Sequence, residues 1–314
     1  MKTNAFFPIF RLFLILLVII TFFLLFSGKP AHAHTTEEIP KDVIMVLQYL
    51  LDKVDTAPRD IDVGRLSPLP AFLDAEKSTD ALYQTDDLMD MPAAFNMFRL
   101  KTDLDHIMSY TLNENIPSVF FWPSSLRVSG WTEMEGGKDQ LNQLREASAD
   151  PDGTFMVKGE EHMQITPDQH TGAYYVYDIN KVISLFPHEE GRVLLVVSRQ
   201  KGPSDVGLKG WVLGKDEDWT YLYTKDTGIN VSGLGWAKTY MYDSFGITLY
   251  WQKDLSVPEV ICGTFSGVNA GWANMNMVKP HHIFAGMTRV SRAFKYVLEN
   301  PKLPASSELS ATLA

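Results

Sequence analysis

Gly172–Phe186 reads GAYYVYDINKVISLF, Pro187–Gly191 reads PHEEG, and Arg192–Lys201 reads RVLLVVSRQK. Two runs rich in Tyr, Val, Ile and Leu flank five residues of turn-forming character, which is the signature of an antiparallel hairpin. The same texture extends both ways. Upstream it begins at Ser118–Met134 and Thr154–Thr166, and downstream it continues through Gly207–Leu213, Trp219–Thr224, Gly235–Tyr242, Phe245–Lys253 and Pro258–Val268. Turn-formers punctuate the runs at Asp150-Pro151-Asp152-Gly153, Gly214–Asp218 and Asp243-Ser244. The spacing predicts consecutive antiparallel hairpins from residue 118 onward, with a short helix inserted where Leu141, Leu144 and Ala147 recur.

The flanks differ in period. Val43, Val46, Leu47, Leu50, Leu51 and Val54 recur at intervals of three and four, one face of an amphipathic helix over Lys41–Asp55. Weaker helical patterns are read around Thr79–Met89 and Pro92–Leu112, which makes residues 34–117 an acidic, helical N-terminal portion. At the other end, Pro280 opens a helix with a wide stripe of Ile283, Phe284, Met287, Val290, Phe294, Val297 and Leu298, and Asn300-Pro301 stops it. Residues 301–314 read as a frayed tail. The expected class is α+β: a helical N-terminal portion, a curved antiparallel sheet of about seven to nine strands, and a C-terminal helix packed across it over residues 118–300. Strands followed by a long closing helix are similar, on element order alone, to the helix-grip domains of the START and Bet v 1 type. That resemblance implies an apolar ligand held between the sheet and the helix at residues 280–299.

Lys2 and Arg11 precede an apolar run from Leu12 to Phe26, and Ala31-His32-Ala33 follows it, the pattern of an export signal cut after Ala33. A retained anchor is the alternative if Phe6 to Ile9 lengthen the run. Loss of Lys2, Arg11 and Lys29 with that segment takes the net charge from −10 to −13, against which nucleic-acid binding is not expected. Residues 34–117 hold 7 basic and 16 acidic side chains, so their helices are the expected docking surface if a partner protein exists. With Cys262 alone, no disulfide within the chain and no all-cysteine metal site can form.

Catalytic signals are sparse. Glu160 and His162 alternate on one face of a strand, with His170 after the next turn, a pattern that suits zinc or non-haem iron but equally a half-exposed strand. His281-His282 falls in the first turn of the last helix, where an imidazole or the free amides can meet a ligand. An N-terminal His34 evokes a copper brace yet lacks a rigid second histidine. Gly263-Thr264-Phe265-Ser266-Gly267 has the wrong register for a nucleophile elbow, and Ser198-Arg199-Gln200-Lys201 lacks the partner motifs of a penicillin-binding site. Cys262, between Ile261 and Gly263, reads as a small buried hydrophobe. No cofactor is called for. The distinctive feature is aromatic load: Tyr175, Tyr177, Trp211, Trp236, Tyr240 and Trp251, with Met287 and Phe294 of the last helix, are the expected lining of an apolar cavity. The expected function is non-catalytic binding of an apolar small molecule or lipid outside the cytoplasm. An envelope enzyme using His281/His282 or Glu160/His162 is the second reading, and a structural or partner-binding envelope protein the third.

Overall fold

A computed structural model describes residues 36–56, 61–75, 82–122, 125–147, 153–166, 172–189, 191–213, 220–231 and 235–314. Residues 1–33, where an export signal is expected, and His34, His170 and Trp219 lie outside the described residues. In chain order the strands are β1 (Thr36–Glu38), β2 (Leu82–Leu88), β3 (Met91–Leu100), β4 (Leu126–Met134), β5 (Phe155–Ile165), β6 (Ala173–His188) and β7 (Gly191–Gln200). They continue as β8 (Leu208–Leu213), β9 (Thr220–Thr227), β10 (Ile229–Val231), β11 (Gly235–Ala237), β12 (Thr239–Gln252), β13 (Val260–Trp272) and β14 (Met275–Asn276). The helices are α1 (Lys41–Thr56), α2 (Pro68–Asp74), α3 (Leu104–Thr111), α4 (Asp139–Glu146), α5 (Pro280–Leu298) and α6 (Ser306–Leu313).

Twelve strands form one sheet whose main path runs β1-β2-β3-β13-β12-β7-β6-β5-β4, with β14, β8 and β9 off it, and β10 pairs β11 separately. The β1–β2 pair is parallel and the others antiparallel, so the sheet is mixed, and its ends at β1 and β4 do not meet. This corrects the expected class. The sheet exceeds seven to nine strands, and the N-terminal portion supplies three of them. Thr79–Met89 is mainly strand β2, and Pro92–Leu112 divides: its first half is strand β3, while the helical reading holds for α3 at Leu104–Thr111. Ala93, Phe95 and Met97 face one core while Ala94 and Leu100 are buried from the other side, so β3 is apolar on both faces and its period of two is hidden. The β2–β3 turn is Met89-Asp90, both at positive φ (58° and 53°), and lacks the Asn-Gly signature that would have announced a hairpin.

Alternation assigns the two faces. Val193, Leu195 and Val197 of β7, with Ile247, Leu249 and Trp251 of β12, join Leu47, Leu50, Leu51 and Phe72 of α1 and α2 in one core. Phe72, Phe95 and Phe265 meet there at ring separations of 4.9 and 4.5 Å. Leu194 of β7, Ile183 and Leu185 of β6, and Cys262 of β13 point the other way, to Ile107 of α3, Leu141 and Leu144 of α4, Phe294 and Leu298 of α5, and Leu309 of α6. The sheet is thus covered by helices on both faces, unlike a helix-grip sheet with one closing helix. The predicted α5 is present, with Ile283, Phe284, Phe294 and Leu298 buried against the sheet. Where fraying was expected, α6 docks through Leu309, and Ser310 accepts from the Asn115 amide at 3.0 Å. Among the described residues no helix is long and apolar enough to cross a membrane.

Candidate functional site

On the α3–α6 face, β4, β5, β6, β7 and β12 floor a pocket of about 310 Å³. Its floor follows from register. Trp131 pairs with Glu161, Glu161 with Ile179, Ile183 with Val196, and Leu194 with Tyr250. Inward residues of five adjacent strands therefore form one surface: Trp131, Glu161, Lys181, Ile183, Leu194, Val196, Thr248 and Tyr250. Leu112, Ile116 and Trp122, between α3 and β4, and Leu141 of α4 form the walls.

The apolar floor contains one ion pair. Lys181 Nζ lies 2.7 Å from Glu161 Oε2, with side-chain exposures of 19% for the lysine and 5% for the glutamate. Lys181 Nζ is also 5.1 Å from the centroid of the Trp131 ring. Gly159 makes this arrangement possible, because a Cβ there would sit 2.2 Å from the Glu133 carbonyl oxygen and 3.0 Å from Trp131 Cε3. Thr248 and Thr264 share a hydroxyl hydrogen bond at 3.1 Å. Trp122 stacks on Phe294 of α5 at 5.6 Å and 13°, and Tyr250 meets the same Phe294 ring at 5.9 Å.

Burial pushes the Tyr250 phenol well above its ordinary range, as does the neighbouring Cys262 to a lesser degree, so it stays a hydrogen-bond donor. Its hydroxyl has no hydrogen-bond partner among the described residues. Tyr177 is likewise pushed up, first by burial, with Ser244 opposing and Glu161 reinforcing. At the rim, Glu114 and Lys138 approach to 3.7 Å and also border a polar cleft of about 570 Å³ lined by Asn115, Asn142, Arg145 and Ser310.

Phe294 alone among the eight expected lining residues braces this pocket. Trp251 is buried in the opposite core, so Trp251 and Phe294 cannot line one cavity. Tyr175 is buried beyond the pocket and donates to Thr239 Oγ1 at 3.0 Å, and Tyr177 lies partly buried beside it. Trp211 covers Gly172, whose φ is +60°. Trp236 is 58% exposed, with Lys209 Nζ 3.4 Å from its ring centroid. Tyr240 stacks on Tyr242 at 6.2 Å, and Met287 packs near Ile283 and Phe284.

The polar candidates lie elsewhere. His281 and His282 are exposed in the first turn of α5 with rings 4.2 Å apart, and His282 Nδ1 accepts from the Lys279 amide at 3.3 Å. Glu160 and His162 do share a face, but each has its own partner, Lys201 Nζ at 2.5 Å and Asp178 Oδ1 at 2.8 Å. Among the described residues no group of three His, Cys, Asp or Glu side chains is placed to hold a metal ion. Cys262 is fully buried, and burial raises its thiol well above the ordinary range, with Lys295 opposing and Glu299 adding to it.

Glu161 and Lys181 are the residues the sequence reading missed. The available signal was a charge at an inward position of each strand: Glu161 in step with Val157 and Gly159, and Lys181 in step with Ile183 and Leu185. Comparison with known proteins gives no matching family model and no matching curated relative.

Proposed function

We propose that this chain is an exported, non-catalytic binding protein that takes a small, largely apolar molecule into the pocket between the five-strand floor and the α3–β4 segment. One observation carries the reading: a cavity of about 310 Å³ in which Trp122, Trp131, Ile183, Leu194, Val196 and Tyr250 meet Thr111, Ser118, Ser129 and Thr248, and whose floor holds one mutually neutralised ion pair among the described residues. A few polar groups fixed in an otherwise apolar cleft is the general form of a small-molecule site. Export is supported by the charged, apolar and Ala-x-Ala pattern of residues 1–33.

The neutral fluorophore N-phenyl-1-naphthylamine tests the reading. It binds saturably to the native protein, and Val196→Trp, which fills the floor, abolishes binding, whereas Met45→Ala, on exposed α1 surface, leaves it unchanged. Trp122→Phe reduces energy transfer from tryptophan to the bound probe without removing binding. Absence of saturable binding to the wild type overturns the proposal, as does unaltered binding by folded Val196→Trp protein.

A further inference from the structure

The pocket also constrains the charge of its occupant. Resting on the pocket being a ligand site, we infer that the ligand is uncharged and presents an oxygen acceptor to Lys181: an aromatic or polycyclic ketone, ester or alcohol rather than a carboxylic acid or an amine.

The floor is electrically balanced before any ligand arrives. Glu161 and Lys181 neutralise one another at 2.7 Å, and they are the only oppositely charged pair on the floor among the described residues. An entering carboxylate would set two anions against one ammonium, and an entering amine would meet that ammonium directly. Glu114 and Lys138, also in the lining, pair with each other at 3.7 Å at the rim, so either would bury a charge at the floor without a counter-charge there, the costly case in a medium of low polarity. A carbonyl or hydroxyl oxygen adds no charge and still gains a charge-assisted hydrogen bond.

Exposure decides which member of the pair the ligand meets. The lysine side chain is 19% exposed against 5% for the glutamate, so the ammonium is the more accessible group. An ammonium carries three donors, and Glu161 Oε2 uses one. Tyr250 supplies a second donor at a different place: Lys181 pairs with Ser198 and Tyr250 with Leu194, two strands across and four residues along. Trp122, Trp131 and the Tyr250 ring flank the space with flat apolar surface, which favours a planar body.

Three compounds of nearly equal shape separate the possibilities: 2-acetonaphthone, 2-naphthoate and 2-ethylnaphthalene, compared by displacement of N-phenyl-1-naphthylamine at pH 7.5. The ketone should bind at least about tenfold tighter than either of the others, the worth of roughly one charge-assisted hydrogen bond. In the paired variant Glu161→Gln/Lys181→Met, the ketone's advantage over ethylnaphthalene should shrink below about threefold while ethylnaphthalene binding persists. If naphthoate binds as tightly as the ketone or tighter, the inference fails. It also fails, with the ligand site intact, if all three bind alike. If none displaces or replaces the fluorophore and the fluorophore itself does not bind, the site reading fails with it. The comparison in wild-type protein stands even if the paired variant does not fold.

Discussion

Replacing Lys181 by methionine isolates the energetic asymmetry of the floor. Methionine keeps much of the apolar stem that lies against Trp131, so the change mainly removes the ammonium. What remains is Glu161, whose side chain is 5% exposed, without the one ion-pair partner it has among the described residues. Stranding a buried charge in this way costs about 3–5 kcal/mol, whereas replacing both members with uncharged residues is often close to neutral. Glu161→Gln should cost less, about 1–2 kcal/mol, because the more exposed Lys181 ammonium can recover hydration from the pocket. The paired variant should lie within about 1 kcal/mol of wild type, giving an interaction energy of at least about 3 kcal/mol across the cycle. Urea unfolding followed by far-ultraviolet circular dichroism, with the slope held common to the four proteins, measures each difference. A Lys181→Met cost below about 1 kcal/mol, or single effects that add to within about 0.5 kcal/mol, would show that the pair is solvated and refute the reasoning.

Alkaline stability follows from Tyr177 and Tyr250, both held protonated by burial. Unfolded tyrosine ionises near pH 10, below the folded values, so the stability these groups confer is complete below pH 10 and declines above it by about 1.4 kcal/mol per pH unit for each. Tyr250→Phe should show a shallower decline from pH 10 to 12 than wild type, and an equal slope would contradict this. Cys262, fully buried and with its thiol raised, should react with a disulfide reagent only as fast as the protein opens, and labelling of native protein at the rate of a free thiol would count against it. Phe294→Ala should lower stability by about 3–5 kcal/mol, since the ring is 1% exposed and touches Phe98, Phe121, Trp122 and Tyr250; a loss below about 1 kcal/mol would mean that the site is loosely packed. Gly159→Ala should cost about 1–3 kcal/mol and weaken fluorophore binding, because its methyl group meets the Glu133 backbone and displaces Trp131; wild-type values for both would refute that packing.

The legible parts of the chain are those where one face is buried and the other is not. The stripe from Ile283 to Leu298 and that from Val43 to Val54 announce their helices, and β5, β6 and β7 stand within a few residues of their expected bounds. Two-sided burial erased the signal in β3, and Met89-Asp90 and Ala273-Asn274 adopt positive φ without the residues that usually mark it. Hence the sequence pattern does not announce β2 or β14, and it hides that the N-terminal portion completes the sheet. The pocket was less legible still. Trp122 and Trp131 lie in a run that reads as one strand and Tyr250 in a run that reads as another, and only register joins β4 to β12 across three intervening strands. Glu161 sits inside the polar run Glu160-Glu161-His162, where composition gives no hint that the middle residue alone turns inward.

The pairing of β3 with β13 sets the order in which this protein can be assembled. Leu100 meets Val260, a residue 160 positions later, and α5, later again, packs on β3. A strand buried on both sides thus has no neighbour on its β13 edge until nearly the whole chain has emerged, which makes for slow folding and leaves a sticky edge open in the meantime. Holding factors that bind extended apolar segments would find Met91–Leu100 the natural place to act. Loss of the last sixty residues would remove β13, α5 and α6 together, leaving the N-terminal strands with nothing to close against.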